Sequence, residues 1–393
     1  MKSERGPGGG YQLEKKILSV GKKKPSVLVS EKEPLLSQRQ NPVILYRSIG
    51  LVQPVFIKPW PRSNGKISKA GSSEELTNPA GIRASAYCSS ANLGAGFDVF
   101  GLALDRYKDT VFVRWAGKGG VILRIEGEYS NGIPAGLSDN AAGPPIIEML
   151  REAGIVGRGV EITIDKGVPP GLGLGSSGAT AAACVKALDS FLHLNLPNDE
   201  LVRFASLGEA AVTGNPHADN VAASLLGGFT IVYDKTPVRT VSIKPPSNLS
   251  VVVTTPKLDL PPKKTRAARK LLPKTVPITS SVLNTGRASA MVAGFANGDI
   301  DLIGHGMEDE LAEPYREKMI PGYRSVKKAA LAAKASGVAI SGAGPSIIAI
   351  VNKRRQSPEK IGQAMVKAFS TEHVQSSYFV ARPAEGAEII KEG

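Results

Sequence analysis

The glycine-rich stretch VPPGLGLGSSGATAAACVKAL, residues 168–188, is a segment whose residue types and spacing point to chemistry. Glycines lose backbone entropy on folding, so a dense cluster needs a structural reason. These glycines follow a strand-like pattern ending at Asp165 and precede an alanine-rich segment that predicts a helix starting near Ser176. Glycines let the backbone approach a ligand, and the N–H groups and dipole of a helix N-terminus attract anions. We therefore expect a phosphate-binding loop, to which Ser176 and Ser177 would add hydroxyl contacts to phosphate or Mg²⁺.

This loop differs from two common nucleotide-binding patterns. No Gly-Lys-Ser/Thr follows the glycines, so the segment is not a P-loop. The dinucleotide fingerprint also requires a parallel β-α-β unit with an acidic residue after its second strand, and that context is missing. Taken by itself, the stretch is also compatible with a flexible turn capped by a serine.

The elements expected to position this loop alternate between strands and helices. Short strands are predicted at IRASAYC, DTVFVRW, GVILRIEG and VEITID, and later at GGFTIVYD, LSVVVTTP and VAISGAGPSIIAIV, which reads as strand–loop–strand. Helices are predicted at SDNAAGPPIIEMLREAG with Ser138 or Asp139 as N-cap, at PNDELVRFASLGEAAVTG with Asn198 as N-cap, at KKTRAARKLL, and in three further segments towards the C-terminus. This mixture of antiparallel-compatible strands and helices predicts an α+β protein with two lobes.

Two further glycine-rich loops accompany the first. The segment SSANLGAGFDVFG, residues 89–101, carries Asn92 and Asp98, and ISGAGPSIIAI lies at residues 340–350. In this order the three loops resemble those of the GHMP kinase superfamily, whose middle motif is a proline, three residues, and then Gly-Leu-Gly-Ser-Ser. Here the motif is Pro169 followed by residues 173–177, and Gly178 departs from the alanine that the family usually carries there.

Within the superfamily, the first and third loops together with GNPHADNVAASLLGGF and EPYREKMIPGY are similar to segments of homoserine kinases. The resemblance runs from about residue 82 to the C-terminal region. It implies a two-lobed α+β GHMP kinase fold, with an N-terminal lobe like domain 2 of ribosomal protein S5 and a ferredoxin-like C-terminal lobe. We assign the ATP-binding domain to residues 81–240 and the C-terminal domain to residues 241–393.

The resemblance implies ATP-dependent phosphorylation of L-homoserine with Mg²⁺ as cofactor. Ser177 and Glu209 would hold the metal, which suits an ion that prefers oxygen ligands and keeps several from phosphate and water. The backbone of one loop would bind the triphosphate of ATP through Pro169, Pro170, Gly171, Leu172, Gly173, Leu174, Gly175, Ser176, Ser177, Gly178 and Ala179.

The acceptor would be a zwitterion with a terminal hydroxyl, and its carboxylate requires a cation. By resemblance Arg269 and Arg316 supply that charge, with Thr265 beside them, and the remaining substrate contacts come from Asn92, Asp98, His217, Asp219 and Asn220. Asn92 and Asp98 would be the catalytic residues. Asp98 either accepts the hydroxyl proton or orients the hydroxyl, and we favour orientation. Arg269 taken alone also fits a solvated basic helix face, whereas Arg316, bracketed by prolines, is predicted in a loop.

Other functions remain open from the residues alone. A second kinase of the superfamily, acting on a small alcohol such as mevalonate or shikimate, would carry the same loops. A ligand-binding protein without catalysis on the same fold is disfavoured because Glu209, Asp98 and the serine pair are all present. The oligomeric state is undetermined, and a homodimer is compatible with the sequence.

The net charge of +14 raises the question of nucleic-acid binding. Residues 1–80 hold 14 Lys and Arg against 6 Asp and Glu, a net charge of +8, which leaves +6 for the rest. The mildly basic charge of the residues after position 80 equally suits an enzyme for anionic substrates. The sequence has no basic stripe with interleaved aromatic residues that would support nucleic-acid binding.

Residues 1–80 carry many helix and strand breakers and no sustained periodicity. We interpret them as a disordered basic tail or translated sequence upstream of the true start, with a targeting peptide as the alternative. The two cysteines, Cys88 and Cys184, give no disulfide framework, and a reducing cytoplasm is the default location. The sequence contains no run of 18 apolar residues, so we expect no membrane-spanning helix.

Overall fold

The computed structural model describes residues 81–214, 216–259 and 264–391. The basic tail predicted for residues 1–80 lies outside the described residues. In the described part of the chain, strands form two separate sheets, and helices cover them, which confirms the α+β class. None of the helices in this part has the length and apolar character that a bilayer crossing requires.

The first sheet has seven strands among the described residues. Its central order is β11-β1-β2-β4-β3, with β5 pairing to β2 and β6 to β5, and all pairs are antiparallel except β3 with β4. The strands are β1 (Ile82–Ala91), β2 (Phe100–Lys118), β3 (Val121–Glu126), β4 (Arg158–Asp165), β5 (Phe229–Lys235), β6 (Val238–Ile243) and β11 (Glu388–Ile390). The chain therefore returns to the first sheet at its C-terminal end, and the predicted boundary at residue 240 stays a prediction.

The second sheet is antiparallel, in the order β10-β7-β9-β8. Its strands are β7 (Leu249–Pro256), β8 (Gly337–Ile340), β9 (Ile347–Asn352) and β10 (Ser376–Ala381). Alternate residues of β7 enter different cores, because side chains of a strand point to opposite faces. Val251 and Val253 belong to the core that contains Phe295, whereas Val252 belongs to the core that contains Phe369. Both faces of this sheet are consequently buried under helices.

Ten α-helices are found in the described part of the chain, and a short 3₁₀ turn follows the eighth. They are α1 (Gly143–Glu152), α2 (Ser176–Phe191), α3 (Asn198–Thr213), α4 (Ala218–Leu226), α5 (Lys264–Lys270), α6 (Ile278–Asn297), α7 (Ile300–His305), α8 (Glu313–Arg316), α9 (Tyr323–Ala332) and α10 (Pro358–Thr371). Helix α2 is almost wholly buried and packs on the first sheet. Its run of alanines permits this, because small side chains let the helix lie close to its neighbours.

Two helix starts differ from the sequence predictions. Helix α1 begins at Gly143 with no side-chain cap, and not after Ser138 or Asp139, because prolines 144 and 145 fit only a first turn. A Cβ at Gly143 would lie 1.7 Å from the Leu137 carbonyl oxygen, so residues 137–143 form a tight turn instead. Asn198 is the first residue of α3 and does not cap it, since Pro197 occupies that position.

A buried ion pair fixes the start of α2. The Lys166 ammonium, 2% exposed, is bonded to the Asp109 carboxylate, which is fully buried in β2. The same ammonium donates to the Ser176 hydroxyl at 2.9 Å and to the Thr180 hydroxyl at 2.8 Å. The other Asp109 oxygen accepts from the backbone N–H groups of residues 167 and 168 at 3.0 and 2.9 Å. This network joins β2, the end of β4 and the first turn of α2.

Removal of the Lys166 charge should destabilise the protein strongly. Lys166→Met leaves the Asp109 carboxylate buried without its cation, which costs about 3–5 kcal/mol. The free energy of unfolding, measured by urea denaturation, should fall by that amount. Lys108→Met, which changes an exposed lysine of β2, should change it by less than about 0.5 kcal/mol. A loss below about 1 kcal/mol for Lys166→Met would show that the pair does not fix this region.

Candidate functional site

The three glycine-rich loops meet around one cavity of about 720 Å³. The Ser341 hydroxyl of the third loop donates to the Gly173 carbonyl at 2.7 Å. The Asn92 side-chain amide of the first loop donates to the Gly342 carbonyl at 2.8 Å. The Ser89 N–H donates to the Leu174 carbonyl at 3.1 Å. Segments that are far apart in sequence thus form a single wall.

The middle loop needs its glycines for two separate reasons. Gly171, Gly173 and Gly175 have φ values of +78°, +78° and +63°, a region that other residues rarely adopt. Two of them also contact backbone or side chains closely: a Cβ at Gly173 would lie 2.3 Å from the Ser341 carbonyl oxygen, and one at Gly175 would lie 2.4 Å from the Ser89 hydroxyl. Gly175 caps α2, whose first turn holds no acidic residue and borders the cavity. The geometry suits an anion at this helix N-terminus.

The two predicted metal ligands are brought together. Glu209 in α3 is 4% exposed and accepts a hydrogen bond from the Ser177 hydroxyl at the start of α2. Burial raises the pKa of Glu209, repulsion from Asp219 adds to this, and the Ser177 hydroxyl and His217 oppose it. A hydroxyl and a carboxylate at a phosphate-binding loop match the oxygen ligands that Mg²⁺ takes from proteins. Among the described residues, no group of three or more His, Cys, Asp or Glu side chains is arranged to hold a metal ion.

Asp98 also lines the cavity and is bonded to a cation. Its carboxylate oxygens accept from the Arg269 guanidinium at 2.7 and 2.5 Å, and His217 Nδ1 lies 3.5 Å away. Burial alone would raise the pKa of Asp98, but the hydrogen bonds from His217 and Arg269 outweigh it and hold that pKa below its usual range. Asp98 is therefore ionised at neutral pH.

The loop that carries Asp98 is held in an unusual backbone conformation. Asn92, Leu93 and Asp98 have positive φ values of 70°, 51° and 57°. The Asn92 side-chain oxygen accepts from the Asp98 N–H at 3.0 Å, while its amide group bonds the third loop. Asn and Asp tolerate this region better than other non-glycine residues, and such strain is common at functional sites.

Arg316 lies in a short helix, α8, and not in the loop that its flanking prolines predict. The Asp309 carboxylate accepts from three N–H groups at the start of this helix and fixes its position. Arg316 is 5% exposed, donates to the Gly342 carbonyl at 3.1 Å and stacks 4.9 Å from the centre of the Phe97 ring. Its Nε is buried and has no hydrogen-bond acceptor among the described residues. The guanidinium thus retains a donor for a ligand.

The remaining predicted residues fall into two groups. His217, Asp219, Asn220 and Thr265 line the cavity, together with most of the middle loop. Five predicted residues do not line it: Pro169, Leu172, Gly178, Ala179 and Arg269. Gly178 packs against α4, where a Cβ would lie 3.1 Å from that of Asn220, and Arg269 reaches the site through Asp98. Their predicted binding roles stay predictions.

The cavity also contains residues that the sequence did not identify as site residues. Lys166 and Lys264 line it, and so do Asp139, Asn140 and the third-loop residues Gly342 and Ala343. The sequence identifies the third loop as a motif, but no sequence pattern shows that its backbone carbonyl groups accept hydrogen bonds from other site residues. A lysine after a strand or at the start of a helix likewise has no local pattern that marks it as buried.

Comparisons with known proteins agree with this geometry. Family models for the GHMP kinases N terminal domain and the GHMP kinases C terminal match residues 145–228 and 291–371. The chain is 40% identical to the homoserine kinase of Thermoplasma acidophilum over 306 residues, 78% of this chain and 96% of that protein. It is 37% identical to that of Sulfurisphaera tokodaii over 304 residues, 77% of this chain and 97% of that protein.

A solved structure of a homoserine kinase is also similar to this chain. The crystal structure of the homoserine kinase from Cytophaga hutchinsonii matches with a TM-score of 0.73 and 36% sequence identity, covering 80% of this chain and 98% of that one. The chain belongs to the homoserine kinase family of the GHMP kinases.

Proposed function

We propose that this protein transfers the γ-phosphoryl group of ATP to the side-chain hydroxyl of L-homoserine. One observation carries the proposal: the Ser177–Glu209 pair at the start of α2 and the charges of Asp98 and Arg316 line the same cavity. Phosphoryl transfer depends mainly on positioning and on neutralising charge. A phosphate-binding end and an amino-acid-binding end in one cavity meet both needs.

The middle loop would bind the triphosphate through its backbone N–H groups and the N-terminus of α2. Ser177 and Glu209 would hold Mg²⁺, which neutralises phosphate charge when it is bound. The Lys166 network keeps the first turn of α2 in place, because Lys166 bonds the Ser176 hydroxyl. The predicted assignments of Ser177 and Glu209 are supported by their hydrogen bond in a buried setting.

At the acceptor end, opposite charges lie side by side, as an α-amino acid requires. Arg316 offers a cation for the carboxylate, while Asp98 and the buried Asp219 offer anions for the amino group or hydroxyl. Because Asp98 has a pKa below its usual range, it is a weak base and suits orientation of the hydroxyl better than proton abstraction. The oxygen–phosphorus bond forms as the bond to the β-phosphate oxygen breaks, and the hydroxyl proton passes to solvent.

An acceptor panel tests the proposed activity. With Mg-ATP, L-homoserine should give ADP with a kcat/KM at least about a hundredfold above those of mevalonate and shikimate, because buried charges reject acceptors that lack an amino group. ADP release and the phosphorylated product would both be measured. A preference for mevalonate or shikimate would assign the protein to another kinase activity of the same superfamily.

Neutralising the proposed metal ligand should abolish most activity. Glu209→Gln removes the carboxylate charge at the triphosphate, so kcat should fall by roughly three orders of magnitude while circular dichroism stays unchanged. Glu200→Gln, on the same helix but outside the cavity, is the matched control and should keep wild-type turnover. A Glu209→Gln enzyme within about tenfold of wild type would exclude Glu209 as the metal ligand.

Arg269 should act on catalysis through the ionisation of Asp98. In Arg269→Met, Asp98 loses one of the two partners that lower its pKa, while burial, which raises that pKa, remains. The carboxylate then takes up a proton at higher pH, so the acid limb of the kcat/KM profile for homoserine should shift to higher pH. Lys270→Met, an exposed change on the same helix, should leave the profile in place. An unshifted acid limb in Arg269→Met would mean that Asp98 ionisation does not limit the reaction.

The cytoplasmic location and the homodimer considered from the sequence stay predictions.

A further inference from the structure

Asn284 is a buried polar residue of helix α6 that lies behind the cavity wall. The buried residues of this helix are Asn284, Met291, Gly294 and Phe295, and Asn284 alone among them has a polar side chain. It is 6% exposed and does not line the cavity. Asparagine is unfavourable inside a helix, and a buried amide costs free energy unless it is hydrogen-bonded. The packing of α6 on its neighbours therefore does not explain this residue.

The Asn284 amide joins two segments that build the acceptor end of the cavity. Its Nδ2 donates to the Ala95 carbonyl of the first loop at 2.8 Å, and its Oδ1 accepts from the Glu310 N–H ahead of α8 at 3.2 Å. A carbonyl only accepts and an N–H only donates, so these partners fix the orientation of the amide. A single side chain thus connects α6, the first loop and the segment that leads into α8.

On the first-loop side, this bond lies close to Asp98. The Gly96 N–H donates to the Asn92 carbonyl at 3.1 Å, and the Asp98 N–H donates to the Asn92 side-chain oxygen at 3.0 Å. Residues 92–98 are consequently one compact turn that includes Ala95. A displacement of the Ala95 carbonyl would displace the Asp98 carboxylate with it.

On the other side, the bond lies close to the helix that carries Arg316. Glu310 directly follows Asp309, whose carboxylate accepts from the N–H groups of residues 311, 312 and 313. Helix α8 has only four residues and ends at Arg316. A one-turn helix depends on its cap for its position, so the place of the Glu310 N–H determines the place of the Arg316 guanidinium.

The first loop and the α8 segment also touch each other directly. A Cβ at Gly94 would lie 1.9 Å from the Met307 carbonyl oxygen, and the Arg316 guanidinium lies 4.9 Å from the centre of the Phe97 ring. The backbone contact limits how closely the two segments can approach, but it does not hold them together. The two hydrogen bonds of Asn284 supply that attachment.

We propose that Asn284 is a positioning residue that fixes the distance between Asp98 and Arg316, and so the width of the acceptor end, without contact to either substrate. This inference rests on the proposed function, in which these two charges bind the amino acid. Within the part of the chain that the structure describes, the side-chain bonds of Asn284 go to the first loop and the α8 segment, not to the middle loop. Binding of the acceptor should therefore depend on Asn284, and binding of ATP should not.

The experiment compares both KM values in Asn284→Leu, which keeps the side-chain size and a good helix former but removes both hydrogen bonds. KM for L-homoserine should rise roughly tenfold, and kcat should fall by about as much, because a misplaced hydroxyl attacks less often. KM for ATP should stay within about twofold of the wild-type value. Ser289→Ala, an exposed change on the same helix, is the matched control and should leave all three constants unchanged.

A merely structural role predicts a different result. A variant that only unfolds in part contains fewer active molecules, so its apparent kcat falls while both KM values stay those of the wild type. Arg287→Met tests the general attachment of α6, because Arg287 forms a half-exposed ion pair with the Glu310 side chain at 2.6 Å. Its loss should leave KM for homoserine within about twofold, since such pairs contribute little.

Asn284→Ala is the second variant, and the same split between the two KM values is expected if the leucine side chain does not fit. Unchanged KM for homoserine, or an equal rise of both KM values, would contradict the inference while the activity stands. If neither variant folds, Asn284 is required for folding and the inference is overturned. A wild-type protein that does not phosphorylate homoserine would contradict the proposed function, and the inference with it.

Discussion

The close approach of the middle loop to the third loop is the constraint on which the site depends. The Ser341 hydroxyl bonds the Gly173 carbonyl, and the Ser341 carbonyl lies where a side chain at residue 173 would begin. This contact joins the loop that precedes α2 to the loop between β8 and β9, and so joins the two sheets at the cavity. The contact between the two loops helps to hold the proposed phosphate-binding and acceptor-binding groups around one cavity.

Charge balance explains how the cavity can discriminate between ligands. Its phosphate end contains backbone N–H groups, a hydroxyl and one buried carboxylate, whereas its acceptor end contains Asp98, Asp219, Arg316 and Lys264. Asp98, and Lys166 elsewhere in the cavity wall, are neutralised by protein partners. Within the part of the chain that the structure describes, the hydrogen bonds of Arg316 and Lys264 go to carbonyl oxygens. The protein therefore places its uncompensated positive charge where the account places an anionic substrate group.

The sequence predicts the local elements and motifs well because their signals are local. Alternation, glycines and the alanine run predict β1, β4, β7 and α2, and the order of the three loops indicates the family. Helix starts are predicted less well: Asn198 resembles an N-cap, but Pro197 takes that position, and prolines move the start of α1 to Gly143. In both cases the fixed φ of proline outweighs the capping preference of a polar side chain.

The pairing of the site residues could not be predicted, since it arises from contacts between distant segments. Asp98 and Arg269 are 171 residues apart, and nothing in KKTRAARKLL distinguishes the arginine that bonds Asp98 from its basic neighbours. Lys264 belongs to the same basic run, yet it is buried while Lys270 is exposed. Arg316 lies at the end of a four-residue helix whose first N–H group donates to the Asp309 carboxylate. A helix this short has no periodic pattern by which the sequence could reveal it.

The central claim is that the phosphoryl group moves from ATP to the side-chain oxygen of homoserine. A ³¹P NMR spectrum of the protein with Mg-ATP and L-homoserine tests it directly, because the proton coupling of the product signal identifies the atom that carries phosphate. The account predicts a phosphomonoester signal split into a triplet by the two protons of the terminal methylene group, growing together with ADP. Inorganic phosphate alone, or an acyl phosphate on the carboxylate, would contradict it.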